Sequence, residues 1–205
     1  MKRQKSLLAI ALLLANSIVA FGSLQSNDKR SSRLQILRKA IGKIHPTRLD
    51  RAYLDATAML ERRNACGEFF GGAAATQVLD NLAVTLQNGP ISDPRIGLMM
   101  SGRSAHFLNS QTGISYRLFT AAEINIIGPF YKSKVWPEDQ FVPNVGSFRP
   151  NTREARVLIL LHELAHLIKG PDEAWLIPDD GGNPELSKKN TSTVESKCGE
   201  LIRSL

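Results

Sequence analysis

One stretch in the last third of the chain constrains the fold most, because it carries the marks of a helix that is shielded from water. Asn151 and Glu154 match a capping box at its start. Gly170 and Pro171 are typical of residues that end a helix. Residues 157–161 are all apolar, so no side of that turn is suited to solvent. We therefore expect a buried helix that other elements must cover.

Apolar residues at helical spacing predict further helices on both sides of this stretch. Three precede it, over residues 33–41, 49–60 and 75–86, and a short one is expected over about residues 191–202. Residues 66–72 are rich in glycine and are interpreted as a connection between the second and third helices.

The middle of the chain consists of short runs bounded by Gly, Asn, Ser or Pro, which is typical of strands. We expect four of them, over residues 96–100, 105–108, 114–119 and 123–127. Residues 109–113 are expected to join the second and third strands, and residues 128–150 form a long loop with several prolines and aromatic rings. The whole pattern predicts an α+β domain with N-terminal helices, a small mixed sheet, the buried helix and an irregular C-terminal segment.

The N-terminus has the layout of a secretory signal peptide. Three basic residues within the first five precede an apolar run over residues 7–20. That run is shorter than the roughly 20 residues that cross a bilayer as a helix, and no later stretch is long and apolar enough to do so. We predict that residues 1–22 are removed and that residues 23–205 form one domain in a secreted or periplasmic protein. An uncleaved membrane anchor is the alternative.

The charge of the chain argues against a nucleic-acid partner. The formal net charge of +7 falls to about +4 when the three cations of the signal peptide are removed. Lys29, Arg30 and Arg33 form a small cluster that is typical of a solvated terminus. No basic stripe is interleaved with aromatic residues, so we expect no nucleic-acid binding and no stable membrane span after export. The pattern does not indicate an oligomeric state.

The chain has two cysteines, Cys66 and Cys198. Disulfides persist in the compartments that exported proteins reach, so the two are expected to pair. A bridge over so long a loop would stabilise the fold by about 4 to 5 kcal/mol in the chain-entropy model. A metal-ligating role for one of them is the alternative.

The predicted buried helix contains the sequence His162-Glu163-Leu164-Ala165-His166. Residues four apart on a helix are separated by about 40° around the axis and about 6 Å along it, so both imidazoles can reach one ion. Glu163 flanks the same face, where its carboxylate can accept a proton from a metal-bound water. Two buried histidines and a glutamate without a partner would be costly, which favours a metal site over a pair of core histidines.

This motif resembles the signature of the zincin metallopeptidases, and residues 160–198 are also similar to a group of exported bacterial metallopeptidases without an assigned substrate. The resemblance implies a zincin-like fold with Zn²⁺ held by His162 and His166, and Glu163 as general base. It also implies that a substrate backbone lies along the edge strand of the sheet.

The third zinc ligand depends on which zincin group the chain resembles. A metzincin has its third ligand at a position that corresponds to Asp172, but here the preceding glycine is displaced by one residue. A thermolysin-like enzyme uses a glutamate on a later helix, which Glu195 fits. An aspzincin-like enzyme uses an aspartate in an irregular segment, which suits Asp179 and Asp180, although the rest of that pattern is not matched.

Asp180 is ranked first among these four acids. Gly181 and Gly182 follow it and allow a tight turn that returns a carboxylate towards the helix. Asp172 is ranked second, and Glu195 and Asp179 follow. With two neutral imidazoles and a carboxylate, a zinc ion keeps its fourth position open, as catalytic sites do.

The sequence thus predicts a secreted zinc-dependent metallopeptidase that acts on a peptide or protein substrate. The alternatives are a non-catalytic zinc-binding protein and a metal-free envelope binding protein in which the histidines are core residues. A zinc hydrolase that acts on another kind of bond, such as a cell-wall cross-link, is not distinguished by these residues.

Overall fold

The computed structural model describes residues 47–135 and 140–205. The predicted signal peptide and the predicted helix over residues 33–41 lie outside the described residues and stay predictions. The described part is a mixed α+β fold with five helices and a small three-stranded sheet. No helix within it is long and apolar enough to cross a membrane.

Three helices precede the sheet: α1 (Arg48–Glu61), α2 (Ala65–Phe70) and α3 (Ala74–Thr85). A capping box starts α1, in which Thr47 accepts from the backbone of Asp50 and the Asp50 side chain accepts from the backbone of Thr47. The prediction of a mere connection over residues 66–72 is wrong, because the side chain of Asn64 caps a short helix there.

The sheet consists of β1 (Leu86–Gly89), β2 (Leu98–Leu108) and β3 (Ser115–Asn125), in the order β1-β3-β2. β1 runs parallel to β3 and β2 runs antiparallel to it, so the sheet is mixed as expected. The four predicted strands merge in pairs into two long strands, β2 and β3. In β2, a register shift between Ser101 and Ser104 lets the strand continue through its polar middle. The predicted third helix ends one residue early, and Leu86 instead begins β1.

Residues 109–114 form the predicted turn, in which the Asn109 amide donates to the Ile114 carbonyl at 2.9 Å. A two-stranded ribbon of β4 (Lys134–Val135) and β5 (Gln140–Phe141) lies within the long loop that follows β3.

The buried helix is α4 (Arg153–Leu167). Its cap is Thr152, whose hydroxyl accepts from the backbone of Ala155, so the prediction of Asn151 as the cap is wrong by one residue. Asn151 instead has a positive φ and accepts from the side chains of Arg48 and Arg156.

The last helix, α5 (Pro184–Arg203), is much longer than predicted. Asn183 caps it and Pro184 occupies its first turn, where a missing amide hydrogen has no consequence. The irregular C-terminal segment is therefore limited to about residues 168–183.

α4 lies at the centre of the fold, with α1 and α5 packed on it and the sheet on another side. Its apolar residues Leu158, Leu160, Leu161 and Leu164 are almost completely buried. The sheet approaches closely at Gly97, where an added Cβ would lie 2.8 Å from the Cδ1 atom of Ile159. This packing fixes the face of α4 that carries the histidines.

Candidate metal centre

His162 and His166 lie one turn apart on α4 and are 6% and 5% exposed. Their Nε2 atoms face each other at 3.0 Å. Both side chains therefore point to one place, as the spacing of four residues predicts for a single helical face.

The segment after α4 turns back towards the histidines. Ile168 leaves the helix and pairs with Tyr116 of β3, and the amide of Lys169 donates to Ser115. The helix ends before its predicted stop at Gly170 and Pro171, because this pairing with the sheet takes the backbone out of the helix at Ile168. Lys169 then pairs with Trp175, which reverses the chain.

The end of this segment brings Asp180 to the histidines. Its Oδ2 lies 3.3 Å from His162 Nε2, and its Oδ1 lies 3.6 Å from His166 Nε2. Gly181 and Gly182 adopt φ angles of 57° and 74°, the left-handed conformation that glycine favours, in the turn that leads to α5. The ligand atoms of His162, His166 and Asp180 all lie within 4.8 Å of one another.

Two residues of α5 contact this triad. Thr191 Oγ1 lies 3.1 Å from His162 Nδ1, where it can accept the Nδ1 hydrogen and leave the Nε2 lone pair directed at the triad. The buried side chain of Asn190 donates to Asp180 Oδ1 and, at 2.8 Å, to the carbonyl of Pro178.

Arg117 of β3 connects the remaining parts of the site. Its Nε donates to the carbonyl of His166 at 3.0 Å, and its two terminal nitrogens bind both carboxylate oxygens of Asp179. The Asp179 Oδ1 atom lies 4.0 Å from His166 Nδ1. The guanidinium stacks at 4.2 Å over the ring of Trp175.

The charge states of two triad members suit a cation. Burial lowers the pKa of His162, so its imidazole is neutral near pH 7. Burial alone would raise the pKa of Asp180, but hydrogen bonds from His162, His166 and Ser187 outweigh it and hold that pKa below its ordinary value. Neutral imidazole and ionised carboxylate are the forms that bind metal ions.

The separations between these atoms also suit one ion. Four-coordinate zinc with bonds of about 2.0 to 2.2 Å separates its ligand atoms by roughly 3.3 to 3.5 Å. The two Nε2 atoms are 3.0 Å apart, and each has its nearest Asp180 oxygen close to that range, Oδ2 at 3.3 Å from His162 and Oδ1 at 3.6 Å from His166. Two imidazole nitrogens and a carboxylate at these separations fit a divalent metal ion.

Glu163 follows His162 on α4 and is partly buried. Loss of solvent around its carboxyl, together with the negative charge of Asp180, raises its pKa well above the ordinary value. The carboxyl of Glu163 therefore has a high affinity for a proton, which is a property of a group that exchanges protons with a neighbour.

The other acids considered as third ligands have different partners. Asp172 accepts from the backbone of Ala174 at 3.2 Å, and Glu195 accepts from the amide of Ser147 at 3.1 Å and from its hydroxyl. Asp179 is engaged by Arg117, as described above. Asp180 is thus the acid that the structure brings to the Nε2 atoms.

Sequence reasoning missed Arg117, Asn190 and Thr191. None of them belongs to a metal-binding motif, and each reaches the site only through tertiary packing. The sole local signal was the polar pair Asn190-Thr191 on the apolar side of a helix, where a polar side chain needs a partner.

The predicted disulfide between Cys66 and Cys198 is confirmed. It joins residues 132 positions apart and ties α2 to α5, the helix that carries Asn190 and Thr191. Because both sulfur atoms are in the bridge, neither cysteine serves as a metal ligand. The bridge also fits a protein that functions outside the cytoplasm.

Comparison with known proteins gave no relative: no protein-family model, no curated protein and no solved structure matches this chain.

Proposed function

We propose that this chain is an exported zinc-dependent hydrolase of peptide bonds. The observation that carries the proposal is the convergence of His162 Nε2, His166 Nε2 and the Asp180 carboxylate, with Glu163 next to His162 on the same helix and within the electrostatic influence of Asp180. A closed structural site needs four protein ligands, whereas this group offers three, which is the number found in catalytic zinc sites. The disulfide and the signal-like N-terminus support export.

The roles of the residues follow from their chemistry. His162, His166 and Asp180 would hold the ion, and the two imidazoles use Nε2. When bound, zinc would acidify a water molecule, polarise the carbonyl of a peptide bond and favour the ionised form of the nearby Glu163. The Glu163 carboxylate would accept the proton of the attacking water and deliver it to the departing amine, so it would act as base and then as acid.

Zinc ions bound by two histidines and one carboxylate occur in peptidases. An edge strand of the sheet can also pair with the backbone of an extended peptide substrate. β2 is one of the two edge strands of the three-stranded sheet, and it exposes its side chains over most of its length. This supports peptide hydrolysis over the hydrolysis of a smaller compound.

Two measurements on the purified, disulfide-bonded protein test the proposal. Metal analysis after extensive dialysis is expected to find about one zinc per chain, and a library of unstructured peptides analysed by mass spectrometry is expected to show new termini. Glu163→Gln should retain the zinc and lose at least about 100-fold in hydrolysis, the usual contribution of a general base. Glu154→Gln, on the first turn of α4, is the matched control and should keep both properties.

The possible results separate the candidate functions. Zinc binding without hydrolysis by the wild type would indicate a non-catalytic zinc protein, and a folded protein without metal would indicate a binding protein with core histidines. A Glu163→Gln variant that is as active as the wild type would contradict the mechanism.

A further inference from the structure

We propose that Arg117 and Asp179 form a positioning pair for the metal site. Arg117 holds the Asp179 carboxylate on the Nδ1 side of His166. Asp179 in turn orients the His166 imidazole and keeps the neighbouring Asp180 in place beside it. This inference rests on the proposed binding of a metal by His162, His166 and Asp180.

The first support is the place of Arg117 in the fold. Its side chain is 8% exposed, although it carries a permanent charge. Through one planar group it binds the carbonyl of His166, at the end of α4, and the side chain of Asp179, next to Asp180. Arginine can do this because its donors lie in a rigid fork that matches a carboxylate.

The rings around Arg117 restrict its orientation further. The guanidinium lies 4.2 Å from the ring centroid of Trp175 and 5.1 Å from that of Phe119. Trp175 belongs to the same segment as Asp179. Stacking and the forked ion pair therefore attach this segment to β3 at two points, just before the chain reaches Asp180.

The second support is the condition of His166. Its Nδ1 atom is buried and has no hydrogen-bond partner among the described residues. An imidazole that presents the Nε2 lone pair to a metal carries its hydrogen on Nδ1, and such a hydrogen normally has an acceptor. Asp179 Oδ1, 4.0 Å away, needs to approach by only about 1 Å to accept it at a normal distance.

The arrangement mirrors the other histidine. His162 already has Thr191 at its Nδ1 atom, at 3.1 Å. With Asp179 at His166, each imidazole of the triad is oriented by a residue from a different part of the chain. Asp179 was considered as a ligand from the sequence, but Arg117 engages both of its oxygens, which suits a supporting role.

The experiment compares zinc affinities by competition with a chromophoric chelator, and records the visible absorption of the Co²⁺-substituted protein. Asp179→Asn keeps the shape of the side chain, which is 61% exposed, so the fold should survive. Arg117→Lys keeps the charge and loses the fork. Each variant is expected to weaken zinc binding by about 10- to 100-fold, the usual effect of a residue that orients a ligand, and to alter the Co²⁺ spectrum.

A second forked ion pair, away from the triad, provides the control. Arg153, at the other end of α4, binds both oxygens of Asp55 in the same forked manner. Asp55→Asn should lower the thermal midpoint but leave zinc affinity within about twofold, because this pair does not touch the triad. Asp179→Glu, which keeps a charged acceptor for His166 and Arg117, should recover part of the affinity.

The double variant Asp179→Asn/Arg117→Lys should bind zinc no more weakly than the poorer single variant, because the two residues act as a unit. Zinc affinities of Asp179→Asn and Arg117→Lys within twofold of the wild type would overturn the inference and leave the proposed function intact. A wild-type protein that binds no zinc would overturn both, and the wild-type measurement alone identifies that case. Where Arg117→Lys does not fold, Asp179→Asn decides.

Discussion

Thr191 Oγ1 of α5 lies 3.1 Å from Nδ1 of His162 on α4. A hydroxyl at this position can accept the Nδ1 hydrogen, which favours the imidazole tautomer in which Nε2 is free to bind a cation. The last helix therefore takes part in the site without contributing a ligand.

Thr191→Val is expected to reduce zinc affinity about 10-fold, because the valine has nearly the same shape but no acceptor for the Nδ1 hydrogen. Chelator competition measures the change. Thr191→Ser should restore most of the affinity. The control is Thr193→Val, because the Thr193 hydroxyl donates to the Lys189 carbonyl on the same helix and does not reach the histidines. This variant should leave zinc affinity unchanged. An equal loss of affinity in Thr191→Val and Thr193→Val would contradict the tautomer argument.

Asn190→Asp is expected to weaken zinc binding by at least about 10-fold. The side-chain amide of Asn190 donates to Asp180 and to the Pro178 carbonyl, whereas an ionised aspartate cannot donate and repels Asp180. Hydrogen exchange should also speed up in residues 178–183, which this amide holds in place.

Asn64→Asp is the control for the Asn190 variant. The amide of Asn64 likewise donates to two carbonyls, those of Met59 and Arg62, but it lies in the cap of α2. The Asn64→Asp variant should have the same zinc affinity as the wild type. If Asn190→Asp also binds zinc normally, Asn190 is not needed to hold Asp180.

Glu163→Gln is expected to raise the thermal midpoint of the metal-free protein at pH 7.5 by a few degrees. Burial and the nearby Asp180 raise the pKa of Glu163 in the folded state, so its contribution to stability is fully present below the ordinary pKa of 4.5 and is lost as the pH rises through the folded pKa. Glutamine has no charge to lose. The gain should thus shrink as the pH is lowered towards 4.5.

Thermal unfolding in excess chelator at a series of pH values tests this expectation. Glu200→Gln, at an exposed position of α5, should follow the wild type throughout. A difference between Glu163→Gln and the wild type that is constant with pH would show that burial of the carboxylate is not the cause.

Removal of the disulfide by Cys66→Ser/Cys198→Ser is expected to lower the free energy of unfolding by about 5 kcal/mol, since the bridge closes a loop of 132 residues. Urea unfolding measures the loss, and reduced wild type should unfold like the double variant. A loss below about 1 kcal/mol would show that the unfolded chain gains little freedom when the bridge is absent.

The fold could be predicted where the signal is local. The helical spacing at residues 49–60 and the turn at residues 109–113 are in the structure nearly as expected. The length of β2 was not predictable, because its polar middle becomes a strand only through pairing with β3. The end of α4 was also misjudged, since pairing of Ile168 with Tyr116 overrides the local stop signal.

The sequence by itself determined the pair His162 and His166 and the neighbouring Glu163, because a helix of 3.6 residues per turn fixes their relative positions within five residues. It narrowed the third acid to four candidates and ranked Asp180 first. Only the tertiary structure decided which acid reaches the histidines and that Arg117, Asn190 and Thr191 surround them. Those distances depend on how β3 and α5 pack against α4, and long-range packing leaves no periodic trace in a sequence.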